Sequence, residues 1–259
     1  MREKKISILI PCRLSSRRLS KKALRYVTEQ KTLIELVYSN TLKAIKELKQ
    51  EEFQIWVCTD SKDIELLLKS KSIPCLMTKD SHKNGTERIA ECLERYNINS
   101  EFIVDVQGDE PFVSSQMIGL VVDNLRKFSA KYKDESIVII PHQIINYDEA
   151  LRESTVKIVT TDKQRVLYLS RYPIPYFHKK NEFKIFEYKK HLSVIGFNRK
   201  ALLKFSNHRL EEIEKVEDIE LIRSLNNGSL IFSPFSETTS FSIDTIEDLE
   251  KAKRILKGE

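Results

Sequence analysis

The chain of 259 residues carries 41% hydrophobic residues, enough for a substantial core, and has room for one large α/β domain or a domain with a smaller lobe. No apolar run approaches the roughly 20 residues that a membrane span needs. The N-terminus is short and charged with no signal-peptide core, so a cytoplasmic protein without a membrane partner is expected. Cys12, Cys58, Cys75 and Cys92 form no CxxC pair, which argues against zinc and a disulfide frame and for reduced, mostly buried thiols. The net charge of +6 is uneven: residues 1–31 hold ten Lys or Arg against Glu3 and Glu29. Such a cluster suggests an anionic partner, whether nucleic acid, nucleotide polyphosphate or acidic sugar.

In chain order, Lys5–Ile10 reads as a first strand. Thr32-Leu33-Ile34-Glu35 has capping-box spacing, and Leu33, Leu36, Val37, Ala44, Ile45 and Leu48 follow helical periodicity. Phe53–Thr59 is predicted as a strand, Lys62–Ser70 as a helix, Ile73–Thr78 as a short strand and Thr86–Tyr96 as a helix. Strand Phe102–Val106 and a helix through Ile118, Val121, Val122 and Leu125 follow. This alternation predicts an α/β fold, a mainly parallel mixed sheet flanked by helices. After strand Ile137–Ile140, Val156–Thr160 and Arg165–Ser170 alternate like a hairpin, and Tyr172–Lys190 reads as an excursion rich in Pro, Lys and aromatics. His191–Phe197 is strand-like, a helix runs through Ile213–Leu225, Leu230–Ser233 is a strand, and a last helix starts at Thr245, capped by Asp244 or Thr245. No repeat or clear linker divides the chain, so residues 1–259 are expected to form a single domain.

The most informative stretch is Phe102–Val106 followed by Gln107-Gly108-Asp109-Glu110-Pro111. A buried strand that stops abruptly puts Asp109 at its C-terminal tip, where open α/β sheets bind ligands. An aspartate there suits Mg²⁺, which prefers oxygen ligands completed by substrate phosphates, although Gly-Asp is also ordinary turn chemistry. The first strand runs into the basic loop Pro11-Cys12-Arg13 through Lys21-Lys22 on the same side of the sheet. No glycine precedes Gly85, so neither GxGxxG nor a P-loop exists and phosphate would have to be held by side chains. Asn84-Gly85-Thr86-Glu87-Arg88 opens a helix whose N-terminus attracts anions, or is simply a capped start. Asp244 is an N-cap or a second metal ligand facing Asp109. His191 at a strand start is more often structural than catalytic, and Glu217 with Glu220, one turn apart, is usually a solvated face.

These segments, in this order, resemble the 3-deoxy-manno-octulosonate (Kdo) cytidylyltransferases. The resemblance spans nearly the whole chain. Its most specific pieces are Asn84-Gly85-Thr86-Glu87-Arg88 and Val106-Gln107-Gly108-Asp109-Glu110-Pro111. Tyr168-Leu169-Ser170-Arg171 with Ile174-Pro175, the spacing of Glu214, Glu217, Glu220, Arg223 and Gly228, and Ile243-Asp244-Thr245-Ile246-Glu247-Asp248-Leu249 add to it. It implies a nucleotidyltransferase fold, Mg²⁺, the substrates CTP and an acidic 2-keto-3-deoxy sugar, a role in lipopolysaccharide synthesis, and a homodimer formed through a sub-lobe at residues 165–200. Carried over by position, Arg13, Ser16, Arg18, Lys22, Gly85, Thr86, Arg88 and Gln107 would face CTP. Asp109 and Asp244 would bind Mg²⁺, with Arg13 and Lys22 beside them in catalysis, and Arg171, His191 and Glu220 would line the sugar pocket.

Departures fall mostly on the sugar side. The family's Pro-Gly before the loop lysine is Ser20-Lys21, a pocket tyrosine is Ile195, and the glutamine of a Glu-Gln pair is Leu221. A fully hydroxylated sugar would lose hydrogen-bond partners there, so a deoxy, amino or otherwise substituted relative of Kdo is expected. The alternatives are a cytidylyltransferase for a sialic or pseudaminic type of nonulosonate, a nucleic-acid-binding protein using the basic N-terminal region, and an inactive homologue. The nucleic-acid reading leaves the carboxylate-tipped strand unexplained, so no nucleic-acid partner is expected.

Overall fold

The structure is a computed structural model that describes residues 5–15, 18–49, 52–178, 186–210, 212–238 and 241–258. The strands are β1 (Ile6–Cys12), β2 (Phe53–Thr59), β3 (Cys75–Met77), β4 (Phe102–Val106), β5 (Ile137–Ile139), β6 (His142–Ile145), β7 (Lys157–Thr160), β8 (Val166–Ser170), β9 (Tyr188–His191), β10 (Val194–Asn198) and β11 (Leu230–Phe232). The helices are α1 (Leu33–Glu47), α2 (Lys62–Ser70), α3 (Gly85–Arg95), α4 (Ser115–Lys131), α5 (Tyr147–Ala150), α6 (Arg199–Ser206), α7 (Glu212–Glu217), α8 (Leu221–Asn226) and α9 (Ile246–Lys257). The chain forms two compact units, residues 1–119 with 240–259, and residues 120–239.

In the first unit the strand order is β4-β1-β2-β3, every pairing parallel. All residues of β1 and β4 are buried, as strands covered on both faces by helices must be. The one polar side chain facing the core from β1, Ser7, shares hydrogen bonds with Ser100 and Gln54, so its burial is compensated. The capping box forms at α1: the Glu35 carboxylate accepts from the Thr32 N–H at 2.8 Å and the Thr32 hydroxyl at 2.6 Å. Because β1, β2 and β4 run parallel, the segments that leave their C-terminal ends (Arg13 onward, Asp60 onward and Gln107 onward) emerge at one edge of the sheet.

In the second unit β11 runs parallel to β5 and β10 antiparallel to it, and β6-β9-β7-β8 form an antiparallel sheet with the expected β7–β8 hairpin. Two expectations fail here. His191–Phe197 is two strands in different sheets: β9 ends at His191 and β10 starts at Val194. The helix through Ile213–Leu225 is broken into α7 and α8 at Asp218, whose φ of 51° is outside helical geometry. A bidentate ion pair holds the two pieces, with Arg223 donating to Glu214 at 2.8 and 2.7 Å and both side chains almost fully buried. The four cysteines are free, and Cys12, Cys58 and Cys92 are buried. Among the described residues no helix is long and apolar enough to cross a membrane.

Candidate active site

The site in the first unit starts with two glycines. A Cβ on Gly108 would stand 2.7 Å from the Pro11 carbonyl oxygen, so only glycine lets the tip of β4 lie against the tip of β1. A Cβ on Gly85 would stand 3.0 Å from the Pro11 ring and 3.3 Å from Gln107 Nε2, which brings the start of α3 to the same place. Asn84 caps α3 through its side chain, accepting from the Glu87 N–H at 2.8 Å.

Asp109 follows directly. Its carbonyl accepts from the Ile243 N–H at 2.9 Å, and Phe112 packs on Phe241 with ring centroids 5.1 Å apart. These contacts seat the 241–244 segment against the β4 tip. Of the two caps considered for α9, Thr245 takes the role: its hydroxyl accepts from the Asp248 N–H at 3.1 Å, and the Asp248 carboxylate accepts from the Thr245 N–H at 2.9 Å. The Asp244 side chain is thereby left for the site. Lys22 places Nζ 2.6 Å from Asp109 Oδ2 and 2.9 Å from Asp244 Oδ1, and Arg18 lies 2.9 Å from Asp244 Oδ2. Burial on its own would lower the Lys22 pKa, but the two carboxylates more than offset it and the value is raised above that of an ordinary lysine. The ammonium therefore stays charged, and one cation joins two carboxylates far apart in the chain.

Gln107 Nε2 donates to the fully buried Asp105 at 2.7 Å. Arg88 is buried and committed to protein: it donates to Asp60 Oδ2 at 2.9 Å, to Thr78 Oγ1 and to the Lys79 carbonyl at 3.4 Å. Thr86 is buried in the first turn of α3. Arg13 is exposed in a cleft of about 680 Å³ together with Lys21 and Asp60. Cys12, at the end of β1, has its thiol pushed up to about 12 by burial, so it is no nucleophile at neutral pH. Ser16 lies outside the described residues. The first unit thus brings together Arg18, Lys22, Asp109 and Asp244, and separately Gly85 and Gln107 beside Pro11. Sequence reasoning missed Asp60 and Asp105, although Asp60 directly follows a predicted strand, much as Asp109 lies just past the end of another.

In the second unit, Arg171 Nε, Nη1 and Nη2 donate to the carbonyls of Glu217, Glu153 and Asp218 at 3.0, 3.0 and 2.8 Å. Glu217 is more than a solvated face: it accepts from the Arg171 N–H at 3.0 Å and the Tyr168 hydroxyl at 3.3 Å. Lys157, fully buried and unremarked in the sequence, donates to the carbonyls of Thr155 (2.6 Å), Arg152 (3.2 Å) and Arg171, and burial, reinforced by Arg171, brings its pKa down to about 8. His191 ends β9. Burial, with Lys190 nearby, brings its pKa to about 4, so the ring is neutral at pH 7, and its Nδ1 is buried without a hydrogen-bond partner among the described residues. Glu220 stands at the N-cap of α8 and is half-buried. Ile195 and Leu221 are core residues, 2% and 1% exposed.

Carboxylates and cations gather at the tips of parallel strands, in an α/β frame without a glycine-rich phosphate loop, and strand tips of this kind are where such sheets bind ligands. Residues 7–257 match the family model described as cytidylyltransferase, and the chain belongs to that family. Over 262 residues it is 32% identical to the 3-deoxy-manno-octulosonate cytidylyltransferase of Thermodesulfovibrio yellowstonii, covering 96% of each chain. It is also 32% identical over 259 residues to the Rickettsia prowazekii protein of the same name, covering 99% of this chain and 97% of that one. A solved structure of CMP:2-keto-3-deoxy-manno-octonic acid synthetase complexed with CTP superposes with a TM-score of 0.84 at 28% identity, covering 98% of this chain and 99% of that one. The mainly parallel α/β architecture read from the sequence is the one found, and the chain is a CTP-using nucleotidyltransferase.

Proposed function

We propose that this enzyme transfers CMP from CTP to the anomeric hydroxyl of a Kdo-like 3-deoxy-2-keto sugar acid, with release of pyrophosphate, in a Mg²⁺-dependent reaction that feeds bacterial surface glycan synthesis. The observation that carries this reading is the pairing of Asp109 and Asp244 across Lys22 Nζ, a cation already seated between two carboxylates. Among the described residues no group of three His, Cys, Asp or Glu able to hold a metal occurs, but two hard oxygen donors fit Mg²⁺, whose remaining positions are ordinarily taken by phosphates and water. Asp109 and Asp244 would hold the ion, which when bound supplies Lewis-acid polarisation of a phosphoryl oxygen.

The chain's own residues do the rest by positioning and charge. Arg13, Arg18 and Lys22 offset the negative charge that grows on the departing pyrophosphate. Gly85, Thr86 and Gln107 shape the nucleotide end at the tips of β1 and β4. On the sugar acid, Arg171 and His191 are proposed to orient the carboxylate and hydroxyls, with Glu220 accepting from a hydroxyl. His191, neutral at pH 7, can donate or accept without adding charge. A substituted Kdo is the proposed acceptor on the sequence departures at Ile195 and Leu221 alone, since both side chains are packed in the core. The excursion at residues 165–200 is the proposed dimer contact, in keeping with Tyr172 and Tyr176 at 75% and 83% exposure. Mass spectrometry of the products formed from CTP and a mixed panel of Kdo, its deoxy and amino relatives and nonulosonates tests the proposal. A CMP adduct of a Kdo relative is expected. A CMP adduct of a nonulosonate alone would move the assignment to the sialic or pseudaminic type, comparable turnover of Kdo and all its analogues would defeat the substituted-sugar reading, and no adduct with any sugar would overturn the whole.

A further inference from the structure

The cleft at the tips of β1 and β2 holds an oddity. Of the charged groups in its wall, Arg13 and Lys21 suit phosphate oxygens, whereas Asp60 would repel them. Nor is Asp60 loosely placed. Arg88, itself buried, holds Asp60 Oδ2 at 2.9 Å and is in turn tied to Thr78 and to the Lys79 carbonyl. The Asp60 side chain is 18% exposed, and Oδ1 takes no hydrogen bond among the described residues. It immediately follows β2, which pairs in parallel with β1, whose loop supplies Arg13 and Lys21. A carboxylate fixed in place by a buried arginine and turned to a basic cleft marks the point where the uncharged part of a polyanion lies. In dinucleotide folds an acid farther along the chain from the phosphate loop takes ribose hydroxyls for this reason.

We propose that Asp60 is a specificity residue for the nucleoside: its free oxygen accepts a hydrogen bond from an uncharged donor, a ribose hydroxyl or the exocyclic amine of the base, while Arg13 and Lys21 meet the phosphates. Arg88 is then a positioning residue that acts through Asp60. This rests on the nucleotide reading above and deepens it.

The test is calorimetric titration of the full chain with CTP, 2′-deoxy-CTP, 3′-deoxy-CTP and UTP in the presence of Mg²⁺, for the wild type and Asp60→Ala. The wild type is expected to bind CTP at least ~10-fold more tightly than one of the analogues, the size of a hydrogen bond to a charged acceptor. Asp60→Ala is expected to lose that factor for CTP and to stop discriminating against the same analogue. A deoxy analogue identifies the ribose as the donor, and UTP, with a carbonyl in place of the amine, identifies the base. Asp60→Asn, which keeps the volume and can still accept from Arg88, is expected to show the same loss in smaller measure should the alanine variant fail to fold. Equal weakening of all four ligands, with wild-type ratios retained, is what a purely structural role gives and would overturn the assignment, as would an unchanged affinity for CTP. Failure of the wild type to bind CTP at all would overturn the nucleotide reading beneath it, whereas CTP binding with unaltered ratios sinks the role of Asp60 alone.

Discussion

Replacing Asp109 by asparagine separates what this carboxylate does for the fold from what it does for the reaction. In the folded chain it lies 2.6 Å from Lys22 Nζ, with the two side chains 24% and 15% exposed. A partly exposed pair of this kind contributes about 1 kcal/mol or less, and Lys22 keeps a second partner in Asp244 at 2.9 Å. The loss should lower the melting temperature by no more than ~4 °C in a chain of this size. Turnover is another matter. An oxygen that helps hold charge at the reacting phosphate is worth about 3 kcal/mol or more of barrier, so the rate should fall by ~10²-fold or more. Pyrophosphate release from CTP with Kdo, followed against Mg²⁺ concentration and set beside a thermal melt, measures both. Asp244→Asn should behave alike, with Arg18 as well as Lys22 left short of a partner. Near wild-type turnover at saturating Mg²⁺ in either variant would remove that residue from the proposed metal site, and a rate loss explained by unfolding would remove the reasoning altogether.

Gly108→Ala sets a methyl group 2.7 Å from a backbone oxygen that cannot swing aside, so a destabilisation of about 1–3 kcal/mol in urea, together with weaker CTP binding, is expected. Glu214→Gln removes the charge of the carboxylate that holds the buried Arg223 in bidentate fashion and should cost up to about 3–5 kcal/mol, read as a lower urea midpoint with unchanged slope. The acid side of the stability profile should report His142, 5% exposed, whose pKa burial brings from 6.5 to about 4, with Lys189 adding to the effect. The neutral folded ring contributes its full stability above about pH 6.5, and that contribution is lost as pH falls through about 4, roughly 3 kcal/mol in all. His191, shifted the same way, adds to the same window. Melting temperatures from pH 8 to pH 4 for wild type and His142→Gln check this, and equal slopes in the two would refute it.

Elements set by local pattern were legible in the chain. Phe53–Thr59, Lys62–Ser70 and Phe102–Val106 have the bounds that periodicity gives, and the Thr32–Glu35 box closes as its spacing requires. Where the pattern ran through a break it misled. His191 and Val194 lie in one β-like run, but the chain changes sheets between them, and no residue type announces that. The helix from Ile213 is interrupted at Asp218, a residue tolerated in left-handed geometry but no more a signal of it than any other aspartate. The β6 strand went unseen because its burial alternates weakly over four residues.

The amino-acid order alone fixed the strand-helix rhythm, the carboxylate at the end of β4, the excess of cations after β1 and the need to hold phosphate without a glycine loop. Those follow from short-range periodicity and from which residue types occur. What only the folded chain decided is which of these groups meet. Thr245 rather than Asp244 caps the last helix, the freed carboxylate joins Asp109 across Lys22, and Arg88 turns to Asp60. Such partners are set by strand register and by the docking of segments remote in sequence, and a side chain's charge carries no record of which opposite charge the packed backbone will bring beside it.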